Sequence, residues 1–208
     1  MKTIWDRSPS QLGQDRFVFE TLGTAKGYFV EFGASDGVEC SNTFILERLG
    51  WSGLLAEPAR HWHHRLRQQR KARIDTRAVW RESGMTLPFR ETEDATFSTI
   101  DSFAEHDDHD RSAGNLYDVQ SVSLNDLLVE NECPTFIDYL SIDTEGSEFD
   151  ILDSFDFSRF TFGAITCEHN YTPRRDDILA LLTRNGYRRV RRVKWDDWFI
   201  HETCLKDD

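Results

Sequence analysis

The chain switches repeatedly between short continuous apolar runs and stretches in which apolar residues return every three or four positions. This alternation predicts strands layered with helices, an α/β fold. Strands are expected at Tyr28–Phe32, 53–56, 73–80, Phe136–Ile142 and 164–167, with a closing pair at 188–194 and 198–201. Helices are expected at 10–22, 41–49, 59–71, Leu124–Glu130, 147–155 and 173–185. Ser10 suits a helix cap, Pro173 a first turn, and Gly50 and Gly186 the position just past a helix end. From 84 to 121 the pattern is irregular, with strand-like fragments at 86–89 and 119–122. A single domain over 1–208 accounts for the whole, with the irregular stretch as a cover over the site.

Four of the strands end at an acid: Glu31, Glu57, Asp143 and Glu168. Ligands of open α/β sheets bind outside the carboxyl ends of the strands. One acid there is a turn former or a cap; four together point to a site. The first strand runs into Gly33-Ala34-Ser35-Asp36-Gly37, where glycines let backbone approach a ligand closely. The middle glycine of a dinucleotide fingerprint is absent, and Asp36 stands where a pyrophosphate tolerates no negative charge. An ammonium-bearing ligand fits better, and S-adenosyl-L-methionine carries an ammonium, a sulfonium and a ribose diol. Glu57 follows Gly37 by 20 residues, placed to accept both ribose hydroxyls. Dinucleotide sites share that device, so the turn chemistry chooses the cofactor.

Asp143 and Glu145 share a face if their strand continues, and Glu168 and His169 end another strand. One use of this group is base chemistry on a hydroxyl, with His169 as base and Asp143, Glu145 and Glu168 as supports. Another is a divalent cation, magnesium or manganese, held by Asp143, Glu168 and His169 to orient and acidify the hydroxyl. Plainer roles stay open: Glu145 as a first-turn helix acid, and His169 as a satisfied structural histidine. The run HDDHD at 106–110 reads either as a metal site or as a solvated acidic loop.

With 208 residues, 38% of them apolar, the chain can bury a substantial core. A net charge of −12 argues against a nucleic-acid partner. Basic stretches at 60–81 and 184–194 suit either solvated faces or the docking of an anionic acceptor. No apolar run approaches the ~20 residues of a membrane span, and the first residues lack an apolar signal core. A cytoplasmic protein is therefore expected, with Cys40, Cys133, Cys167 and Cys204 as free thiols and no CxxC zinc motif.

Several segments together resemble the FkbM-type S-adenosylmethionine-dependent methyltransferases. They are SQLGQD (10–15), FVEFGASDGVECSNTFILERLGWSGLLAEP (29–58), VSLNDLL (122–128), YLSIDTEGSEFDIL (139–152) and ITCEHNY (165–171). The resemblance implies a class I methyltransferase fold, a Rossmann-like three-layer sandwich. Its sheet is seven-stranded and mostly parallel, with an antiparallel last strand. It implies that Glu31, Gly33, Ala34, Asp36 and Gly37 line the methionine side of the cofactor. Ser41 and Asn42 open the neighbouring helix, Glu57 takes the ribose, Ala78 and Val79 border the adenine, and Asp143 sits near the methyl group. The motif departs from the glycine-richer ExGxGxG of many methyltransferases. Placement of Asp143, Glu168 and His169 is also similar to the metal ligands of divalent-dependent catechol-type O-methyltransferases, with histidine in place of an amide.

The expected reaction is O-methylation of a hydroxyl on a small molecule, a sugar or glycan, or a secondary metabolite. A metal-dependent hydrolase or nuclease would instead turn over without S-adenosylmethionine. A non-catalytic binding module would bind it without transfer.

Overall fold

The structure is a computed structural model that describes residues 3–105 and 109–205. The chain opens with α1 (Gln14–Leu22), β1 (Tyr28–Phe32), α2 (Phe44–Arg48), β2 (Ser52–Ala56), α3 (His63–Gln69) and β3 (Arg73–Asp75). There follow β4 (Ala78–Trp80), β5 (Thr86–Glu91), β6 (Thr99–Ile100), β7 (Asn115–Ser123) and α4 (Leu124–Glu130). The last part comprises β8 (Phe136–Ile142), α5 (Glu148–Asp153), β9 (Thr161–Glu168), α6 (Arg174–Arg184), β10 (Tyr187–Val193) and β11 (Asp196–His201).

Seven strands form the main sheet in the order β10-β11-β9-β8-β1-β2-β3. The pairs from β9 through β3 are parallel, whereas β11 runs antiparallel to both its neighbours. The last strand in sequence is thus inserted, reversed, one place from the edge, and the expected seven-stranded, mostly parallel sheet with an antiparallel last strand is present. The central strands are continuous apolar runs because both their faces are covered. On one face Val30, Leu140 and Ile165 pack against Leu127, Ile151 and Leu182 of α4, α5 and α6. On the other, Phe29, Leu55 and Tyr139 meet Phe17, Leu46 and Leu66 of α1, α2 and α3. A fully buried side chain such as Phe29 contributes roughly 1.5–3 kcal/mol by leaving water.

Three expectations need correction. The strand expected over 73–80 is two strands in two sheets. Arg77 donates its backbone N–H to the Asp75 carboxylate at 2.9 Å and closes a guanidinium ion pair on it at 2.6 Å, which turns the chain between β3 and β4. The stretch 84–121 is not irregular. β5 and β7 form a six-pair antiparallel ladder within a second sheet, β4-β7-β5-β6. In β5, Leu87 and Phe89 point inward while Thr86 and Pro88 are exposed, the period-two signature of a half-buried strand. Its core includes Ala59, Trp80, Phe89, Ile100 and Val119. Helix α1 also starts later than expected, at Gln14 after Gly13 in the left-handed region. Cys40, Cys133, Cys167 and Cys204 are free thiols. Among the described residues no helix is long and apolar enough to cross a membrane.

Candidate active site

A cavity of about 360 Å³ opens at the carboxyl ends of β1, β2, β8 and β9. The turn after β1 forms one wall. Gly33 has φ 69°, and a Cβ there would lie 1.9 Å from the Asp143 carbonyl oxygen, so only glycine lets the ends of β1 and β8 abut. Its N–H and that of Ala34 donate to the Ala56 carbonyl. Gly37 has φ 82°, and a Cβ there would lie 2.6 Å from both Arg70 Cγ and Leu66 Cδ1.

Strand alternation puts Glu31 on the Phe29 face, toward α2 and α3. Its carboxylate accepts hydrogen bonds from the Asn42 N–H (2.7 Å), Ser41 Oγ (3.0 Å) and Thr43 Oγ1 (2.5 Å), and the buried Arg70 guanidinium lies 3.5 Å away. Glu31 therefore stiffens the wall that it also lines. Asp36 accepts the N–H groups of Val38 and Glu39 at 2.7 and 2.8 Å, and its other oxygen faces Arg65 at 3.1 Å. Of the residues expected at the methionine end, Glu31, Gly33 and Asn42 line the cavity, whereas Ala34, Asp36, Gly37 and Ser41 build the wall outside it.

Glu57 ends β2 and lines the cavity together with Ala78 and Val79. Backbone N–H groups of Ser35 and Ala59 donate to its two oxygens, each at 2.7 Å. Each oxygen keeps a lone pair for a further donor such as a ribose hydroxyl. Burial pushes this carboxyl up to about 7.

The β8 and β9 register sets Ile142 beside Cys167, so Asp143 and Glu168 leave adjacent strand ends. With Glu145 they form a group whose carboxylate oxygens lie within 4.8 Å of one another. Burial raises both Asp143 and Glu168; Glu168 goes further, because the charges of Asp143 and Glu145 stand next to it. Burial and mutual repulsion favour the form of the pair that shares a proton. Asn170 Nδ2 donates to Glu168 Oε2 at 2.9 Å. Glu145 is not a first-turn helix acid. It occupies a left-handed turn (φ 57°), its carboxylate 2.9 Å from Arg111 Nη2 and its carbonyl bonded by Thr99 Oγ1 at 2.9 Å.

His169 does not face this group. It is 4% exposed, its Nδ1 accepts the Tyr171 N–H at 3.0 Å, and its Nε2 lies 3.9 Å from Asp197 Oδ1. Burial, with the Arg175 charge, lowers its pKa. The chain reverses after Glu168, so Asn170 reaches the cavity and His169 turns away. The expected metal set of Asp143, Glu168 and His169 is accordingly not assembled; Asp143, Glu145 and Glu168 stand together instead. The run 106–110 falls partly outside the described residues. His109 stacks on Phe97 at 4.2 Å between centroids, and both line the cavity with Phe89 and Ile100.

Sequence reasoning missed the contributions of Arg111, Thr99 and Phe97, which lie in the stretch taken as irregular. Among the described lining residues there are six carboxyl side chains and no arginine or lysine. A sulfonium cofactor with a ribose diol fits this donor set. The glycine turn admits close approach, Glu57 presents two anchored acceptors, and the acid-rich walls favour a cation.

A comparison with curated proteins gives no match. Among solved structures the chain is similar to a precorrin-6y C5,15-methyltransferase from Geobacter metallireducens (10% identity, 89% of this chain, 84% of that one, TM-score 0.48). It is also similar to a ribosomal protein L11 methylase from Lactobacillus delbrueckii (10% identity, 89% and 74%, TM-score 0.46). A third is a TehB-like SAM-dependent methyltransferase from Corynebacterium glutamicum (8% identity, 92% and 86%, TM-score 0.48). Residues 31–189 match the methyltransferase FkbM domain. That match spans most of the chain and every strand-end acid of the site, so the chain belongs to the FkbM methyltransferase family, a class that depends on S-adenosylmethionine.

Proposed function

We propose that the chain methylates a hydroxyl oxygen of an uncharged sugar, glycan or secondary-metabolite acceptor. The observation that carries this reading is the Asp143–Glu168 pair, which lines one cavity together with Glu57 and the apolar residues Phe89, Phe97 and Ile100. When bound, the cofactor supplies an electrophilic methyl group on sulfonium. Glu57 holds the ribose hydroxyls. The Asp143 carboxylate takes the proton of the acceptor hydroxyl, and protonated Glu168 hydrogen-bonds Asp143 and keeps it oriented. Among the described residues the lining carries six acids and no arginine or lysine, which disfavours an anion at the reacting end. An anionic acceptor would have to place its charge outside, near the basic stretches 60–81 and 184–194.

Calorimetric titration of metal-stripped protein with S-adenosylhomocysteine tests the cofactor assignment. Micromolar binding that is lost in Glu57→Ala supports it, and no binding sinks it. A screen of hydroxyl acceptors then follows. Product lacking an O-methyl group would overturn the acceptor chemistry.

A second reading adds a divalent cation, held by Asp143, Glu145 and Glu168, because their oxygens converge within 4.8 Å. Full turnover by metal-stripped enzyme, with no heat on adding magnesium or manganese, would dismiss it. A hydrolase would leave the glycine turn and the doubly anchored Glu57 without a use, and a non-catalytic module would bind the cofactor without turnover.

A further inference from the structure

The segment before α1 lies outside the family match, yet it reaches the cavity through Gln11, beside Glu39, Cys40 and Asn42. The backbone around Gln11 is fixed on both sides. Ser10 Oγ lies 2.8 Å from Asn42 Oδ1 and accepts the Gln14 N–H at 3.0 Å. The Leu12 N–H donates to Gln14 Oε1 at 3.0 Å, and Gln14 Nε2 donates to Asp196 at 2.8 Å. Gln14 and Asn42 are both buried, so these ties anchor a half-buried loop, in which Gln11 is the exposed residue, to the sheet. Asn42 continues the chain of bonds by donating to Ser141 Oγ at 3.0 Å, on the strand beside β1.

Position along the sheet says which end of the cofactor Gln11 would meet. Ser141 and Asn42 belong to the β8 and β1 side, and Glu57 to β2. Two strand spacings separate β8 from β2, about 10 Å. If Glu57 holds the ribose, the amino-acid end of the cofactor extends toward Gln11. That end carries a carboxylate as well as an ammonium. Among the described lining residues six acids can meet an ammonium, and no arginine or lysine is there to meet a carboxylate. Neutral donors must do so. The amides of Asn42 and Asn170 already commit an N–H to Ser141 and Glu168. The Gln11 amide has two N–H donors and an acceptor; one N–H meets the Cys40 sulfur, which leaves a second donor and the acceptor for a zwitterion.

Resting on the cofactor reading above, we infer that Gln11 is a cofactor-specificity residue that recognises the amino-acid end of S-adenosylmethionine. It makes the N-terminal segment the fourth wall of the site.

Calorimetry on the full chain tests this with two probes: S-adenosylhomocysteine, and 5′-methylthioadenosine, which lacks the amino-acid end. Gln11→Ala weakens S-adenosylhomocysteine about tenfold, in the range of one hydrogen bond to a charged group, and leaves 5′-methylthioadenosine unchanged. Gln11→Glu, which sets an anion against the carboxylate, weakens S-adenosylhomocysteine further. Glu57→Gln weakens both ligands. Unchanged 5′-methylthioadenosine binding shows that each Gln11 variant is folded. Equal binding of S-adenosylhomocysteine by wild type and Gln11→Ala overturns the assignment, as does an equal loss for both ligands. Failure of the wild type to bind either ligand overturns the cofactor reading and this inference with it.

Discussion

Arg111 Nη2 stands 2.9 Å from Glu145 Oε2, and both side chains are buried. Arg111 also donates to the Phe97 carbonyl at 2.7 Å, so one guanidinium ties the apolar wall of the cavity to the turn that follows β8. Removing one partner of a buried pair leaves the other charge uncompensated. Arg111→Met should lower stability by about 3–5 kcal/mol, read as a fall in urea midpoint. Arg111→Met with Glu145→Gln should recover part of that loss, because no lone charge remains. A double variant no more stable than the single one would show that the ion pair itself is not what holds the wall.

Glu57 makes the apo protein sensitive to pH. Its carboxyl titrates at about 7 in the fold against 4.5 when free. Between those values the folded state holds a proton that the unfolded state has released. Stability from this group is therefore full below about pH 4.5 and is lost as pH rises through 7, by up to about 3 kcal/mol. Unfolding midpoints should fall from pH 5 to pH 8, and Glu57→Gln should flatten part of that slope. Because the carboxylate is the form that accepts ribose hydroxyls, S-adenosylhomocysteine affinity should rise over the same interval. Affinity independent of pH between 6 and 8 would contradict the ribose role.

At Gly33 the left-handed φ of 69° and the 1.9 Å clash of a Cβ with the Asp143 carbonyl act together. Gly33→Ala should destabilise by about 2–4 kcal/mol. It should also abolish S-adenosylhomocysteine binding at temperatures where the variant is still folded by circular dichroism. Normal binding would mean that the ends of β1 and β8 tolerate separation.

The placement of the acids divides the two candidate bases. Asp143→Asn should reduce turnover by about 10²–10⁴ with S-adenosylhomocysteine affinity nearly unchanged. Glu168→Gln, which keeps a hydrogen-bonding group, should lose less. His169→Gln should stay within a few-fold of wild type, since the ring faces Asp197 rather than the cavity. Single-turnover rates check all three, and a collapse in His169→Gln would restore the histidine as base.

What the sequence by itself determined were properties that depend on near neighbours. The apolar runs of β1, β2, β8 and β9 announced strands buried on both faces, and their terminal acids announced a site at one edge of the sheet. The left-handed turn at Gly33 was readable because a glycine between a strand and an acid has few other uses. The family followed from motifs carried by those same segments. Tertiary structure decided where side chains face once the ladder ends. Period-two alternation stops with strand pairing, so nothing local distinguishes His169 from Asn170, and the left-handed residues Asn170 and Tyr171 settle the matter. Glu31 was legible as a strand-end acid, but the Arg70 guanidinium that helps fix its carboxylate comes from a segment distant in sequence. β5 and β7 read as fragments because their ladder joins residues far apart in the chain, and the only local trace is the alternation of Leu87 and Phe89. Gln11 and Arg111 enter the site in the same way, from segments whose position is set by contacts across the fold. Such contacts gain their energy only after the chain has closed, and the order of residues along it does not display them.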